Sequence, residues 1–171
     1  MPSIQFISHS NEETIRLGEE IGRALVAGDI LALRGDLGAG KTTFIRGVAQ
    51  GLRLNGADVR SPTFTLMNVY EKPGRLTLYH FDLYRLDQPQ QVLALDYEEY
   101  FYGKGVCAVE WAQKLGPLTP TRCLEIEFAH RQENEREIKI ALNSPEEMQK
   151  FIAKAWPGKC PDCRHCAAAK I

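Results

Sequence analysis

Short apolar runs alternate with amphipathic stretches along this chain. SIQFI, residues 3–7, alternates polar and apolar positions as an opening strand does. Ser10 and Glu13 form an S-x-x-E capping box. Behind it Ile15, Gly18, Ile21, Gly22 and Leu25 recur at helical spacing, with Gly28 as the expected stop. ILALRG, residues 30–35, is a continuous apolar run entering a glycine-rich loop, the pattern of a strand buried on both faces. KTTFIRGVAQGL, residues 41–52, then turns Phe44, Ile45, Val48, Ala49 and Leu52 towards a core at helical period.

The second half continues the alternation. TFTLMNVYE and RLTLYHFD flank Lys72-Pro73-Gly74 and read as two strands joined by a turn. PQQVLALDYEEYF, residues 89–101, reads as one helix with Asp96 and the glutamates on its wet side, and VCAVEW, residues 106–111, as a central strand. CLEIEFAH and REIKIAL alternate as half-exposed strands do. Ser144 caps a last helix with Pro145 at its first position, running to Trp156. No internal repeat is visible. This order predicts an α/β domain over residues 1–156: a mostly parallel central sheet flanked by helices, with an antiparallel hairpin.

Composition narrows the function classes. The 171 residues suffice for one core, and the apolar share of 44% is ordinary for a globular domain. Lys+Arg number 21 against 22 Asp+Glu, and the basic residues are scattered. That argues against an autonomous, charge-driven grip on nucleic acid. No apolar run reaches the length of a membrane helix, and MPSIQFISHSNEE lacks the features of a secretory signal. The expected location is therefore cytoplasmic, with cysteines as thiols and with Cys107 and Cys123 in the core.

The chemistry concentrates at RGDLGAGKTTF, residues 34–44. Gly35 to Thr42 match G-x-x-x-x-G-K-[ST] between a strand and a helix, the P-loop pattern, which makes the fold P-loop NTPase-like. Gly38, Ala39 and Gly40 shape a bend whose backbone N–H groups face phosphate oxygens, and the helix dipole adds to the attraction. Lys41 is placed to meet the β- and γ-phosphates, and the Thr42 hydroxyl to ligate Mg²⁺. No Asn is followed by Lys, so the guanine motif N-K-x-D is absent and ATP is favoured. Glu110 ends an apolar strand, where a carboxylate can hold Mg²⁺ directly or through water. HFDLYR places His80, Asp82 and Tyr84 on one strand face. Asp82 can orient an attacking water, and Arg85 can pair with a phosphate or an acid; a plain hydrogen-bonded cluster is the alternative. RSPTFT puts Ser61, Thr63 and Thr65 beside Pro62, either as a switch-like loop sensing the γ-phosphate or as a strand entry.

Taken in order, GDLGAGKTT, SPTFT, HFDLYR and VEW resemble the TsaE (YjeE) family of small bacterial P-loop ATPases, from about Ser8 to Leu142. The resemblance implies an ATP-binding and ATP-hydrolysing component of the machinery that makes N6-threonylcarbamoyladenosine at position 37 of tRNA. It further implies action on a TsaB–TsaD complex, with tRNA met only through that complex. It carries Gly38, Gly40, Lys41, Thr42 and Thr43 onto the phosphate loop, Thr42 and Glu110 onto the Mg²⁺ site, and Asp82 onto hydrolysis. It places Trp111 beside the metal carboxylate, and the stretch around Asn11 in a nucleotide-contacting region. Arg136 becomes a candidate contact to base or ribose. A small-molecule kinase, or an assembly module that binds ATP without needing to hydrolyse it, remain the alternatives. The tail, residues 157–171, departs from the family pattern. Its Cys160, Cys163 and Cys166 beside His165 are expected to lie in a disordered segment, with a metal site as the other reading.

Overall fold

The computed structural model describes residues 3–132, 134–142 and 144–157. The readings for Cys160, Cys163, Cys166 and His165 therefore lie outside the described residues. A seven-stranded sheet runs in the order β1-β7-β6-β2-β5-β4-β3. These are β1 (Ser3–Ser8), β2 (Ile30–Arg34), β3 (Met67–Tyr70), β4 (Leu78–Asp82), β5 (Val106–Glu110), β6 (Leu124–Gln132) and β7 (Glu135–Ala141). The four central strands β6, β2, β5 and β4 are parallel. β3 pairs antiparallel with β4, as the turn residues Lys72-Pro73-Gly74 predict.

The sheet is more mixed than a mostly parallel one, because β7 pairs antiparallel with β6 and β1 with β7. The cause is local. β6 ends at Gln132 and β7 begins at Glu135, and two intervening residues are too few for a parallel crossover.

Among the described residues five α-helices cover the sheet: α1 (Asn11–Ala24), α2 (Lys41–Gly51), α3 (Gln90–Leu93), α4 (Tyr97–Phe101) and α5 (Pro145–Ala155). β2 shows why its run is continuously apolar. Leu31 and Leu33 pack with α1, α2 and α5 in one layer, while Ile30 and Ala32 pack with Val92, Tyr97 and Phe101 in the other. Cys107 and Cys123 are buried in the second layer, and burial pushes their thiols up to about 12 and about 11. Among the described residues no helix is long and apolar enough to cross a membrane.

The capping box forms with a variation. Ser10 Oγ accepts the Glu13 N–H at 3.1 Å, but Glu13 reaches back to the N–H of His9, at 2.7 Å, rather than to that of Ser10. Two helix readings are corrected. α1 ends at Ala24, and Gly28 (φ 86°) instead serves the turn into β2, donating to the Gly105 carbonyl at 2.7 Å. The single helix expected over 89–101 is broken into α3 and α4 by Asp96, at φ 49° and ψ 36°. Nine residues apart on one helix, Val92 and Phe101 would face opposite ways, about 180° apart at 100° per residue. The break lets both enter the same layer.

α1 and α2 meet backbone to backbone. A Cβ on Gly47 would lie 2.0 Å from the Ile15 carbonyl oxygen, and one on Gly18 2.2 Å from that of Phe44. This close contact fixes the first turns of α2 against α1.

Candidate functional site

Three parallel strands deliver the site. β2 ends at Arg34 and runs into the glycine loop, β5 ends at Glu110, and β4 ends at Asp82, whose Cα is the register partner of Glu110. Gly40 caps α2 in the left-handed region, φ 105°, and a Cβ there would sit 2.6 Å from Nη1 of Arg136. The left-handed backbone is what asks for glycine, since the guanidinium end of Arg136 could move aside. The Phe44 N–H makes the first backbone bond of α2, to the Gly40 carbonyl at 2.9 Å. The amides of Lys41, Thr42 and Thr43 precede it and have no acceptor earlier in the helix. Ala39 is buried, its N–H folding the loop back to the Asp36 carbonyl at 3.2 Å.

Lys41 is 4% exposed, and its Nζ donates to the carbonyls of Gly35 and Asp36 at 2.7 and 2.8 Å. The same ammonium lies 4.1 Å from the ring centroid of Trp111, within cation–π reach. Burial holds the lysine below its ordinary pKa, and the charges of Glu110, Asp82 and Asp36 oppose that shift. Trp111 reaches this position through a left-handed backbone, φ 59° and ψ 39°, which costs about 1–2 kcal/mol for a non-glycine residue. Its other neighbour is Tyr84, with ring centroids 5.1 Å apart.

Thr42 and Glu110 are brought together. The threonine hydroxyl donates to Glu110 Oε1 at 2.6 Å, although 68 residues separate the two in sequence. His80 Nε2 meets the same oxygen at 2.9 Å. Oε2 accepts no hydrogen bond from the described residues. A hydroxyl and a carboxylate are hard oxygen donors, and two protein ligands suit Mg²⁺, which keeps most of its waters. The residues fit that ion.

Asp82 is 2% exposed and engaged on both oxygens. Ser61 and Thr63 donate their hydroxyls to Oδ2 at 2.6 and 2.8 Å, and the Tyr84 N–H donates to Oδ1 at 2.9 Å. The loop after Arg60 is therefore tied to the end of β4. Thr65 does not join this cluster; its hydroxyl donates to Asn68 Oδ1 at 3.2 Å, because the chain has by then turned towards β3. Tyr84 lies beyond the end of β4 rather than on one strand face with His80 and Asp82. Arg85 lies over the exposed ring of Phe64, 4.0 Å from its centroid, and forms no ion pair among the described residues.

Arg136 stands on β7 opposite Ser8 of β1, and its guanidinium lies against Gly40; Asn11 is exposed as the first residue of α1, and no hydrogen bond or ion pair among the described residues ties it to the loop. Two contributors were not apparent from the sequence. Phe64 stacks under Arg85, and its only prior signal is an aromatic inside a polar loop. Lys114 donates to the carbonyls of Tyr84 and Leu86, fastening the HFDLYR segment, with no sequence signal at all.

A glycine loop between a central parallel strand and a helix, closed by a strand-end carboxylate on that helix's second residue, defines a protein of the P-loop nucleoside-triphosphatase fold. A family model described as threonylcarbamoyl adenosine biosynthesis protein TsaE matches residues 8–138, and the chain belongs to the TsaE family. It is 40% identical over 135 residues to the tRNA threonylcarbamoyladenosine biosynthesis protein TsaE of Treponema pallidum, covering 79% of this chain and 98% of that one. The protein of the same name from Bacillus subtilis is 42% identical over 138 residues, 81% of this chain and 85% of the relative. The Aquifex aeolicus relative is 43% identical over 137 residues, 80% and 94% of the two chains. The crystal structure of Bacillus subtilis YdiB superposes with a TM-score of 0.74 at 32% identity, covering 90% of this chain and 94% of that one.

Proposed function

We propose that this chain binds and hydrolyses ATP as the nucleotide-driven component of cytoplasmic tRNA N6-threonylcarbamoyladenosine synthesis, acting on a TsaB–TsaD complex. The relatives are named for that biosynthesis, and the missing guanine motif favours ATP. The observation that carries the reading is the 2.6 Å contact between Thr42 and Glu110 beneath the loop that ends in Lys41. Magnesium, when bound there, supplies charge neutralisation for the β- and γ-phosphate oxygens.

The chain's own residues do the rest. The free amides at the start of α2 receive phosphate oxygens, and Lys41 exchanges the carbonyls of Gly35 and Asp36 for them. Asp82 serves as the acceptor that orients the attacking water. Both Ser61 and Thr63 already donate to its Oδ2, so hydrolysis waits on movement of that loop. Slow turnover by the isolated chain and acceleration by a docked partner follow from the same contact. With Lys+Arg 21 against Asp+Glu 22 and no basic block, tRNA is reached through the complex rather than gripped directly.

Phosphate release from ATP tests this, measured for the chain alone and with a TsaB–TsaD pair. Turnover should rise at least about tenfold with the pair and vanish in both settings for Lys41→Ala. Equal turnover with and without the pair would contradict the coupling.

A further inference from the structure

We infer that His80 is the positioning residue for the magnesium carboxylate: its Nε2–H pins one oxygen of Glu110 and so leaves the other, Oε2, for the cation. This rests on the ATP–magnesium reading above.

His80 is fully buried on β4, and its register partner Ala108 lies two residues before Glu110 on the adjacent strand, so the two side chains are diagonal neighbours on one sheet face. The 2.9 Å contact joins ring Nε2 to Glu110 Oε1. An ionised carboxylate only accepts, so the ring proton stands on Nε2. Nδ1 is buried with no hydrogen-bond partner among the described residues. A buried polar atom left unpaired costs stability whether it would donate or accept. An apolar residue of similar size would fill this place beside Tyr70, whose ring centroid is 6.3 Å away, without that cost. Among the described residues, the one interaction His80 has that an apolar residue could not make is the bond to Glu110.

That bond has a specific consequence. The terminal torsion of a glutamate is soft and nearly two-fold, so a carboxylate held at one point can swing. Glu110 Oε1 takes two donors, Thr42 and His80, and Oε2 takes none from the described residues. The Thr42 hydroxyl can donate its proton to Oε1 while a lone pair faces the ion, but one hydrogen bond holds the carboxylate at a single point and leaves its plane free to turn. His80 supplies the second, independent hold. Partners of this kind behind a metal ligand typically affect metal affinity 10- to 100-fold.

The test is a Mg²⁺ titration of fluorescent ATP-analogue binding to the full chain, with an EDTA arm for metal-free affinity. For His80→Leu the half-saturating Mg²⁺ should rise at least about tenfold, with affinity in EDTA unchanged. His80→Gln, whose amide N–H reaches the place of Nε2, should recover most of the loss. His80→Asn, whose shorter amide falls short of Glu110, should not. This comparison also stands if the leucine variant fails to fold. Equal Mg²⁺ requirements for Gln and Asn variants would overturn the inference, as would an EDTA affinity that falls as far as the Mg²⁺-dependent one. A wild-type chain that binds the analogue identically with and without Mg²⁺ would overturn the ATP–magnesium reading together with this inference, whereas wild-type Mg²⁺ dependence kept by all variants overturns the role of His80 alone.

Discussion

Lys41 is a charge held where folding does not favour it. Its ammonium is 4% exposed and satisfied by two backbone carbonyls and the face of Trp111. Because burial lowers its pKa, the unfolded chain holds the Lys41 proton more tightly than the native one. Stability therefore carries a cost at neutral pH that is relieved as pH rises from the lowered value towards the ordinary 10.5. Lys41→Met should leave the melting temperature of the nucleotide-free protein unchanged or higher and flatten that alkaline rise, while ATP affinity falls at least about tenfold. A drop of several degrees, measured by thermal unfolding, would contradict this. The motif residues were legible because chemistry restricts them: the left-handed backbone at Gly40 asks for glycine, and an ammonium and a hydroxyl must follow. The partners of Asp82 were not, since Ser61 and Thr63 lie 21 and 19 residues away and meet it only through the fold. Arg85 could be read as a cation near phosphate, but nothing in the sequence ties it to Phe64.

At the scale of elements, the contact with α1 fixes the first turns of α2, the helix that follows the phosphate loop. Two effects oppose each other in Gly47→Ala. Helix propensity gains about 1 kcal/mol, while a methyl 2.0 Å from a backbone oxygen forces the helices apart at an overpacking cost of about 1–3 kcal/mol or more. The obstructing atom belongs to a helix backbone and cannot rotate aside, so the steric effect wins. Urea unfolding should show a net loss, up to about 2 kcal/mol or beyond, and a gain would contradict the close packing. The sequence displayed these glycines at helical spacing without displaying what they touch. Strands with strict patterns, β2, β5, β6 and β7, were readable. The Asp96 break was hidden, because a helical period over 89–101 is compatible with one helix until the shared layer of Val92 and Phe101 is known. The antiparallel side of the sheet was underestimated for a related reason: the two-residue link after Gln132 decides direction, while alternation does not.

Across the whole molecule, two layers hold the carboxyl ends of β2, β4 and β5 in one plane, and this converts three distant sequence segments into one site. Lys41, Thr42, Asp82 and Glu110 stand together at these strand ends, with the Arg136 guanidinium against Gly40. Family membership agrees with that arrangement over residues 8–138. The central claim is that one divalent ion is shared by Thr42 and Glu110 while a triphosphate lies in the Lys41 loop. Anomalous diffraction from crystals grown with Mn²⁺ and a non-hydrolysable ATP analogue tests it most directly. The manganese peak should stand about 2.2 Å from Thr42 Oγ1, with Glu110 either in its first shell or one water away, and the phosphates should lie on the α2 amides. A peak away from both side chains, or a nucleotide bound elsewhere on the sheet, would contradict it.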